Sequence, residues 1–360
     1  MKEYTVASAE SGMKCISYCK HILPGAQNGF LHKMLRKKNI TVNGKKADGF
    51  TALAAGDVVR FFFSDETFDM LQAGKGALPK TPDKEFAKSK KKESISPEQE
   101  SDIRRLYDQY RIGERIVYED EDVLILDKPA GLLSQKAAAD DISVNELLLK
   151  YLKDKGSLTG GFTPSVTNRL DRNTSGLLLF GKSYKGSRLL SELLRERTVA
   201  KYYRCWVFGE AEEAFLTGWL DKDERTNTVT VINDGDLRST AKKGSRIETE
   251  MIPIRCAELY GGTKATLLQV HLITGKTHQI RAHLASIGHP ILGDPKYGDR
   301  ELNTELKKQY HIKRQLLHAY RIVFPQLDAP FSHLSGRSFT AELPEDMSKG
   351  EPWQPGVREA

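Results

Sequence analysis

A turn rich in charge that runs straight into an unbroken apolar strand constrains this 360-residue chain more than any other feature. The stretch is Thr167-Asn168-Arg169-Leu170-Asp171-Arg172-Asn173-Thr174-Ser175-Gly176-Leu177-Leu178-Leu179-Phe180. Leu177 to Phe180 show no alternation, and a short apolar run bounded by turn residues reads as a strand buried on both faces. A central strand holds the turn before it rigidly, so Asp171 is presented on a fixed support between two arginines. Two readings of that carboxylate stand side by side: a catalytic group, or an Asp beside Thr, Ser and Gly that caps its turn.

The length suits one large core with a smaller satellite domain. Lys and Arg number 55 against 48 Asp and Glu, a net +7 that suits a polyanionic partner without requiring one. Cys15, Cys19, Cys205 and Cys256 are scattered and lack the second pair or His partner of a structural zinc site, so they read as free thiols. The N-terminal Met1-Lys2-Glu3-Tyr4-Thr5 lacks the apolar core of a signal peptide, and no run approaches the length of a membrane span. A cytoplasmic protein with no membrane partner is expected, with a monomer as the default.

Residues 1–70 read as a small domain. Ile16, Cys19 and Ile22 suit one short helix, and Phe30 to Leu35 a second that ends in Arg36-Lys37-Lys38. An Asn43-Gly44 turn, flanked by Ile40-Thr41-Val42, leads through Gly56-Asp57 to a strand from Val58 to Phe63, giving a compact β-ribbon. Arg36, Lys37 and Lys38, with Lys45 and Lys46 just past the turn, can neutralise phosphates along one edge. The plainer alternative is a solvated helix end whose cations complement the dipole. This segment, with Ala55-Gly56-Asp57-Val58-Val59, resembles an S4 RNA-binding domain, whose helix and Asn-Gly turn face RNA.

From 71 to 102 the composition turns to Lys, Pro, Gly, Ser and Glu, which reads as a flexible, charged linker. A globular pattern then holds from 103 to 345, with 346–360 as a C-terminal tail. Val123-Leu124-Ile125-Leu126 reads as a buried strand stopped at Asp127-Lys128-Pro129-Ala130-Gly131. Helices are expected at 143–153, around Leu189 to Leu194 and at 277–287, with strands at 201–207, 228–232, 247–255, 264–272 and 317–324. Hairpins with intervening helices give the α+β class, a mixed sheet flanked by helices.

Two further motifs join the opening one. In Val199-Ala200-Lys201-Tyr202-Tyr203, Lys201 and Tyr203 share a face of a strand; a core tyrosine is the alternative. In the run from Leu272 to Asp294, Ile280, Leu284 and Ile287 form the buried stripe of a short helix with Arg281 beside it. His278, His283 and His289 invite a metal reading. However, His278 and His283 diverge by about 140° around a helix, which argues against a shared metal.

Together these motifs resemble the RluA-type pseudouridine synthases, and the S4-like segment narrows the likeness to the branch acting on large-subunit ribosomal RNA. Asn168-Arg169-Leu170-Asp171-Arg172-Asn173-Thr174-Ser175-Gly176-Leu177-Leu178 stands where the family has His-Arg-Leu-Asp-x-x-Thr-Ser-Gly-Leu-Leu. The later block is matched almost without gaps, with Lys276 where Arg is commoner. The resemblance implies a mixed, largely antiparallel sheet and an RNA-modifying isomerase that needs no cofactor or metal. It implies Asp171 as catalytic aspartate, Tyr203 as the aromatic against the uracil, and Arg281 as the partner of Asp171. Arg169 would enter the RNA stack and Ile280 would lie beneath the base, with Lys201 and Asn168 beside the substrate. Asn168 replaces the usual His, so an altered hydrogen bond near the flipped base is expected. A noncatalytic RNA-binding factor draws its sequence support from Asn168 alone. A glycoside hydrolase would need a second carboxylate in motif context.

Overall fold

The computed structural model describes residues 1–73, 96–158, 162–223, 228–232, 244–259 and 261–348. The N-terminal unit opens with β1 (Lys2–Thr5), α1 (Cys15–Ile22) and α2 (Asn28–Arg36), and continues with β2 (Ile40–Val42), β3 (Val58–Phe61) and α3 (Asp65–Gln72). Its sheet has the order β1-β3-β2, all antiparallel. The Asn43-Gly44 turn forms as its residue types demand. Both residues have positive φ, 51° and 73°, and Val42 and Lys45 exchange backbone hydrogen bonds of 3.0 and 2.9 Å across it. Tyr18, Leu31, Ile40 and Phe61 close a hydrophobic cluster of this unit's own. Strand β1 and helix α3 lie beyond the expected helices and ribbon.

Most of the expected 71–102 linker lies outside the described residues, but both its margins are helical. Helix α3 runs to Gln72, and α4 (Pro97–Gln109) begins before Ile103. Ser96 caps α4: its hydroxyl accepts from the Gln99 N–H while the Gln99 side chain accepts from the Ser96 N–H, with Pro97 in the first turn. The expected tail at 346–360 likewise begins in a helical turn and is otherwise outside the described residues.

The larger unit continues with β4 (Ile116–Glu119), β5 (Val123–Lys128), α5 (Val144–Asp154), β6 (Ser165–Val166), β7 (Ser175–Gly181) and α6 (Tyr184–Glu196). Then come β8 (Ala200–Phe208), β9 (Ala214–Asp223), β10 (Thr228–Ile232), β11 (Ser245–Glu258), β12 (Lys264–Leu272) and α7 (Gln279–Ser286). It closes with α8 (Arg300–Tyr310), β13 (Leu317–Val323), β14 (Ser338–Thr340) and α9 (Glu345–Ser348). Among the described residues these strands form one mixed, largely antiparallel sheet in the order β10-β9-β11-β12-β8-β13-β7-β5-β4, with β14 beside β13 and β6 beside β7.

Strand β7 is central and buried on both faces along its length, as its lack of alternation requires. One face packs with α5 and the other with α6, so leucines of the same strand enter two different clusters. Its one parallel neighbour is β13, through His318 with Ser175 and Ala319 with Gly176. Gly176 has φ +112°, and a Cβ there would stand 2.3 Å from the Ala319 carbonyl oxygen. Only glycine allows that approach.

Candidate active site

The turn carrying Asp171 is clamped from three sides. Lys128, fully buried at the end of β5, donates its ammonium hydrogens to the carbonyls of Pro129 (3.0 Å), Leu132 (2.9 Å) and Arg172 (3.1 Å). The Gly131 N–H also donates to the Arg172 carbonyl, at 2.9 Å. Ser134 meets Leu170 twice, its hydroxyl donating to the carbonyl at 2.8 Å and accepting from the N–H at 3.0 Å. From the C-terminal side Arg314 donates to the Asn173 carbonyl (3.2 Å), and the Gln315 amide donates to the Thr174 hydroxyl (3.3 Å). These bonds hold the backbone at Leu170, Arg172 and Asn173 and the Thr174 hydroxyl, and tie the turn to the 129–132 segment, without using the Asp171 carboxylate. Burial pushes the Lys128 ammonium down to about 7, against the opposing pull of Asp171.

Arg281 supplies the countercharge. Its Nε and Nη2 donate to the two oxygens of Asp294 at 2.7 and 2.8 Å, a bidentate fork, which leaves Nη1 to reach Asp171 Oδ2 at 2.8 Å. Burial disfavours the Arg281 charge, but the two carboxylates outweigh it and hold the guanidinium firmly protonated. Asp294 is wholly buried and also accepts from the N–H groups of Lys296 and Tyr297. The Asp171 side chain is 29 % exposed. Two aspartates therefore flank one arginine in unlike roles: Asp294 is consumed as a support, and Asp171 faces outward.

Tyr203, on β8, packs in the same hydrophobic cluster as Leu170 and Ile280. Burial first, and the Asp171 charge second, push its phenol up, so it remains a neutral proton donor. Lys201 lies two residues along the same strand face, and burial lowers its ammonium; its Nζ would stand 3.9 Å from a Cβ added at Gly275. Arg169 is exposed beside the turn. The Asn168 side-chain oxygen accepts the Leu179 backbone N–H at 2.7 Å, continuing beside β7 the pairing that β6 begins. Arg36, Lys37, Lys38, Lys45 and Lys46 are exposed on the N-terminal unit and take no part in this cluster.

The histidines separate. His278 caps α7 with φ 53°, pairs its Nδ1 with the Tyr297 hydroxyl at 2.9 Å, and brings Nε2 to 3.9 Å from Asp171. His283 pairs instead with the Thr249 hydroxyl at 3.0 Å. Burial pushes His278 below its ordinary value despite the pull of Asp171, and takes His283 down to about 4. Among the described residues no three His, Cys, Asp or Glu side chains converge as metal ligands.

Sequence reasoning passed over Lys128, Ser134, Asp294 and Tyr297. Tyr297 lies under the Arg281 guanidinium, 5.1 Å from its ring centre. The available signals were two charges ending an otherwise apolar β5, and an Asp in a Gly-Asp-Pro turn close after α7. The arrangement offers one accessible carboxylate with a fixed countercharge, beside an aromatic wall with a protonated phenol. The other carboxylate on Arg281, Asp294, is buried and sealed against that guanidinium, so it cannot serve as the second partner of a paired acid–base hydrolysis.

The sequence pattern of a family described as RNA pseudouridylate synthase matches residues 122–286, a span that contains Asp171, Tyr203 and Arg281. The ribosomal large subunit pseudouridine synthase C of Vibrio cholerae serotype O1 (strain ATCC 39315 / El Tor Inaba N16961) is 30 % identical over 316 residues, covering 87 % of this chain and 85 % of that protein. The ribosomal large subunit pseudouridine synthase D of Zymomonas mobilis subsp. mobilis (strain ATCC 31821 / ZM4 / CP4) is 32 % identical over 242 residues, 64 % of this chain and 70 % of its own length. Among solved structures, human RNA pseudouridylate synthase domain containing 4 shares the fold, with a TM-score of 0.55 at 19 % identity over 69 % of this chain and 95 % of that one. The chain belongs to the RNA pseudouridylate synthase family and is an RNA pseudouridine synthase of the RluA type.

Proposed function

We propose that this enzyme isomerises specific uridines of large-subunit ribosomal RNA, with Asp171 as its catalytic carboxylate. The observation that carries the reading is the 2.8 Å bond from Arg281 to Asp171, made between residues 110 positions apart and aimed at the more accessible of the two carboxylates on that guanidinium. The printed names of the relatives support the choice of ribosomal RNA. The reaction breaks the uracil N1–C1′ bond, turns the base and rejoins it through C5. Asp171 acts at C1′ as nucleophile or at C2′ as base. Tyr203 and Ile280 form the wall and floor that retain the detached uracil, and the Tyr203 phenol relays the C5 proton. Lys201 lines the same side of the site. Arg169 fills the gap that the flipped nucleotide leaves in the RNA stack.

Residues 1–70 act in this reading as an S4-like RNA-binding domain whose Arg36, Lys37, Lys38, Lys45 and Lys46 meet phosphates, ahead of a catalytic domain spanning 103–345. The enzyme works as a cytoplasmic monomer; no helix among the described residues is long and apolar enough to cross a membrane. A factor that binds without turnover rested on Asn168, and the Asn168–Leu179 bond supports a backbone-holding role for that residue instead.

Purified Asp171→Asn should lose pseudouridine formation on a ribosomal RNA fragment by at least about a thousand-fold while binding RNA within a few-fold. A fully active Asn variant sinks the assignment. Pseudouridine maps of ribosomal RNA from cells with and without the gene should differ at specific large-subunit uridines; identical maps would redirect the search to other RNAs.

A further inference from the structure

Between residues 11 and 47 the chain carries eight Lys or Arg and no Asp or Glu. The cations at 36–38, 45 and 46 are exposed, and none forms an ion pair among the described residues. Such exposed cations can neutralise phosphates and release the counterions condensed on a polyanion. Beside them lies a cavity of about 410 Å³ lined by His32, Leu35, Arg36, Lys46, Ala47, Asp48 and Gly49.

The loop over this cavity is built to show one ring. Asp48 turns its Oδ1 inward to accept from the N–H groups of Phe50 and Thr51, both at 2.8 Å, and from the Thr51 hydroxyl at 3.1 Å. Those bonds lower the Asp48 carboxyl and occupy the oxygen that faces them. Gly49 is buried so tightly that a Cβ would meet the His32 ring at 2.5 Å. Phe50 is consequently held out at 69 % exposure. Its ring lies 6.0 Å from that of His32, tilted by 40°, and 5.4 Å from the Lys14 ammonium. An apolar protein partner would meet one ring amid unpaired cations, whereas an unpaired nucleotide brings a π-face and a phosphate together.

We propose that Phe50 and this cavity hold one unpaired RNA nucleotide, its base stacked on Phe50 toward His32 and its phosphate on Arg36 and Lys46. The proposal rests on the reading of residues 1–70 as RNA-binding and adds a preference for single-stranded over duplex RNA. Paired bases have no free face to offer.

The test uses the full-length protein, a labelled single-stranded RNA and a blunt duplex of equal length, titrated at several salt concentrations. Phe50→Ala should weaken single-strand binding by roughly 5- to 50-fold at every salt concentration, leave the log–log salt slope unchanged and spare the duplex. Phe50→Trp should restore the loss. Arg36→Ala with Lys46→Ala should instead flatten the salt slope. Unchanged single-strand affinity in Phe50→Ala, or an equal loss on the duplex, overturns the stacking site. If the Arg36/Lys46 double variant keeps the full salt slope, the RNA-binding reading of this unit fails and the nucleotide site with it.

Discussion

The charges around Asp171 and those on the N-terminal unit are handled in opposite ways. Lys128, Arg281 and Asp294 are buried and satisfied by carbonyls or by each other, whereas Arg36, Lys37, Lys38, Lys45 and Lys46 are exposed with no ion pair among the described residues. Burial makes a charge costly unless its partners are fixed, so each satisfied buried charge also fixes the backbone that satisfies it. Exposed cations fix nothing, but they remain available to an external polyanion. One region uses charge to position a turn, and the other leaves it for a ligand.

That contrast breaks if buried charges prove dispensable. Asp294→Ala leaves Arg281 with only Asp171 and should cost about 3–5 kcal/mol in denaturant unfolding, together with most of the turnover; a variant of wild-type stability would mean that the fork is ornamental. Lys128→Met takes a donor from the carbonyls of Pro129, Leu132 and Arg172, of which Arg172 keeps the Gly131 N–H, and should cost on the order of 2–3 kcal/mol. It should lower kcat more than it raises KM, since the damage falls on the placement of Asp171.

Acid titration sharpens the picture of the buried groups. His283 and His318 are each taken by burial from 6.5 to about 4, so the unfolded chain binds their protons first as pH falls. The stability these two histidines contribute is therefore full above 6.5 and is lost between 6.5 and 4. Asp127, raised by burial to about 6, acts in the opposite sense and offsets part of the loss. A net decline on the order of 2 kcal/mol across that window is expected, and His318→Gln should flatten the melting-temperature profile. The smallest effect on folding belongs to Arg36→Ala, Lys37→Ala and Lys38→Ala combined, within about 0.5 kcal/mol. On single-stranded RNA the same variant should lose about 0.7 in log–log salt slope for each phosphate contact removed.

What could be read in advance followed from local pattern. The apolar run of β7, the Asn43-Gly44 turn, the Lys201–Tyr203 strand and the Arg281 helix are written in neighbouring residues, and the family motifs singled out Asp171, Tyr203 and Arg281 together. The supports were harder to see because they act on backbone. Lys128 and Ser134 bond to carbonyls and an N–H group, which any sequence supplies, so nothing at residues 170–172 announces them. Asn168 is alike: its side-chain oxygen is bonded to the Leu179 N–H, which no side-chain pattern announces. Helix α4 was legible at its start through Ser96-Pro97 and Gln99, but the composition of the preceding stretch drew the boundary past it.

Strand β13 joins β8 to β7, and Gly176 lets its backbone close in. Those neighbours precede it by more than a hundred residues, so a growing chain carries two partial sheets, each with an open edge, until residues 317–323 have been made. The turn bearing Asp171 also takes bonds from Arg314 and Gln315. Catalytic competence thereby waits until residues 314–323 have been made, and a chain truncated before β13 would expose two sticky edges and hold an unfinished active site.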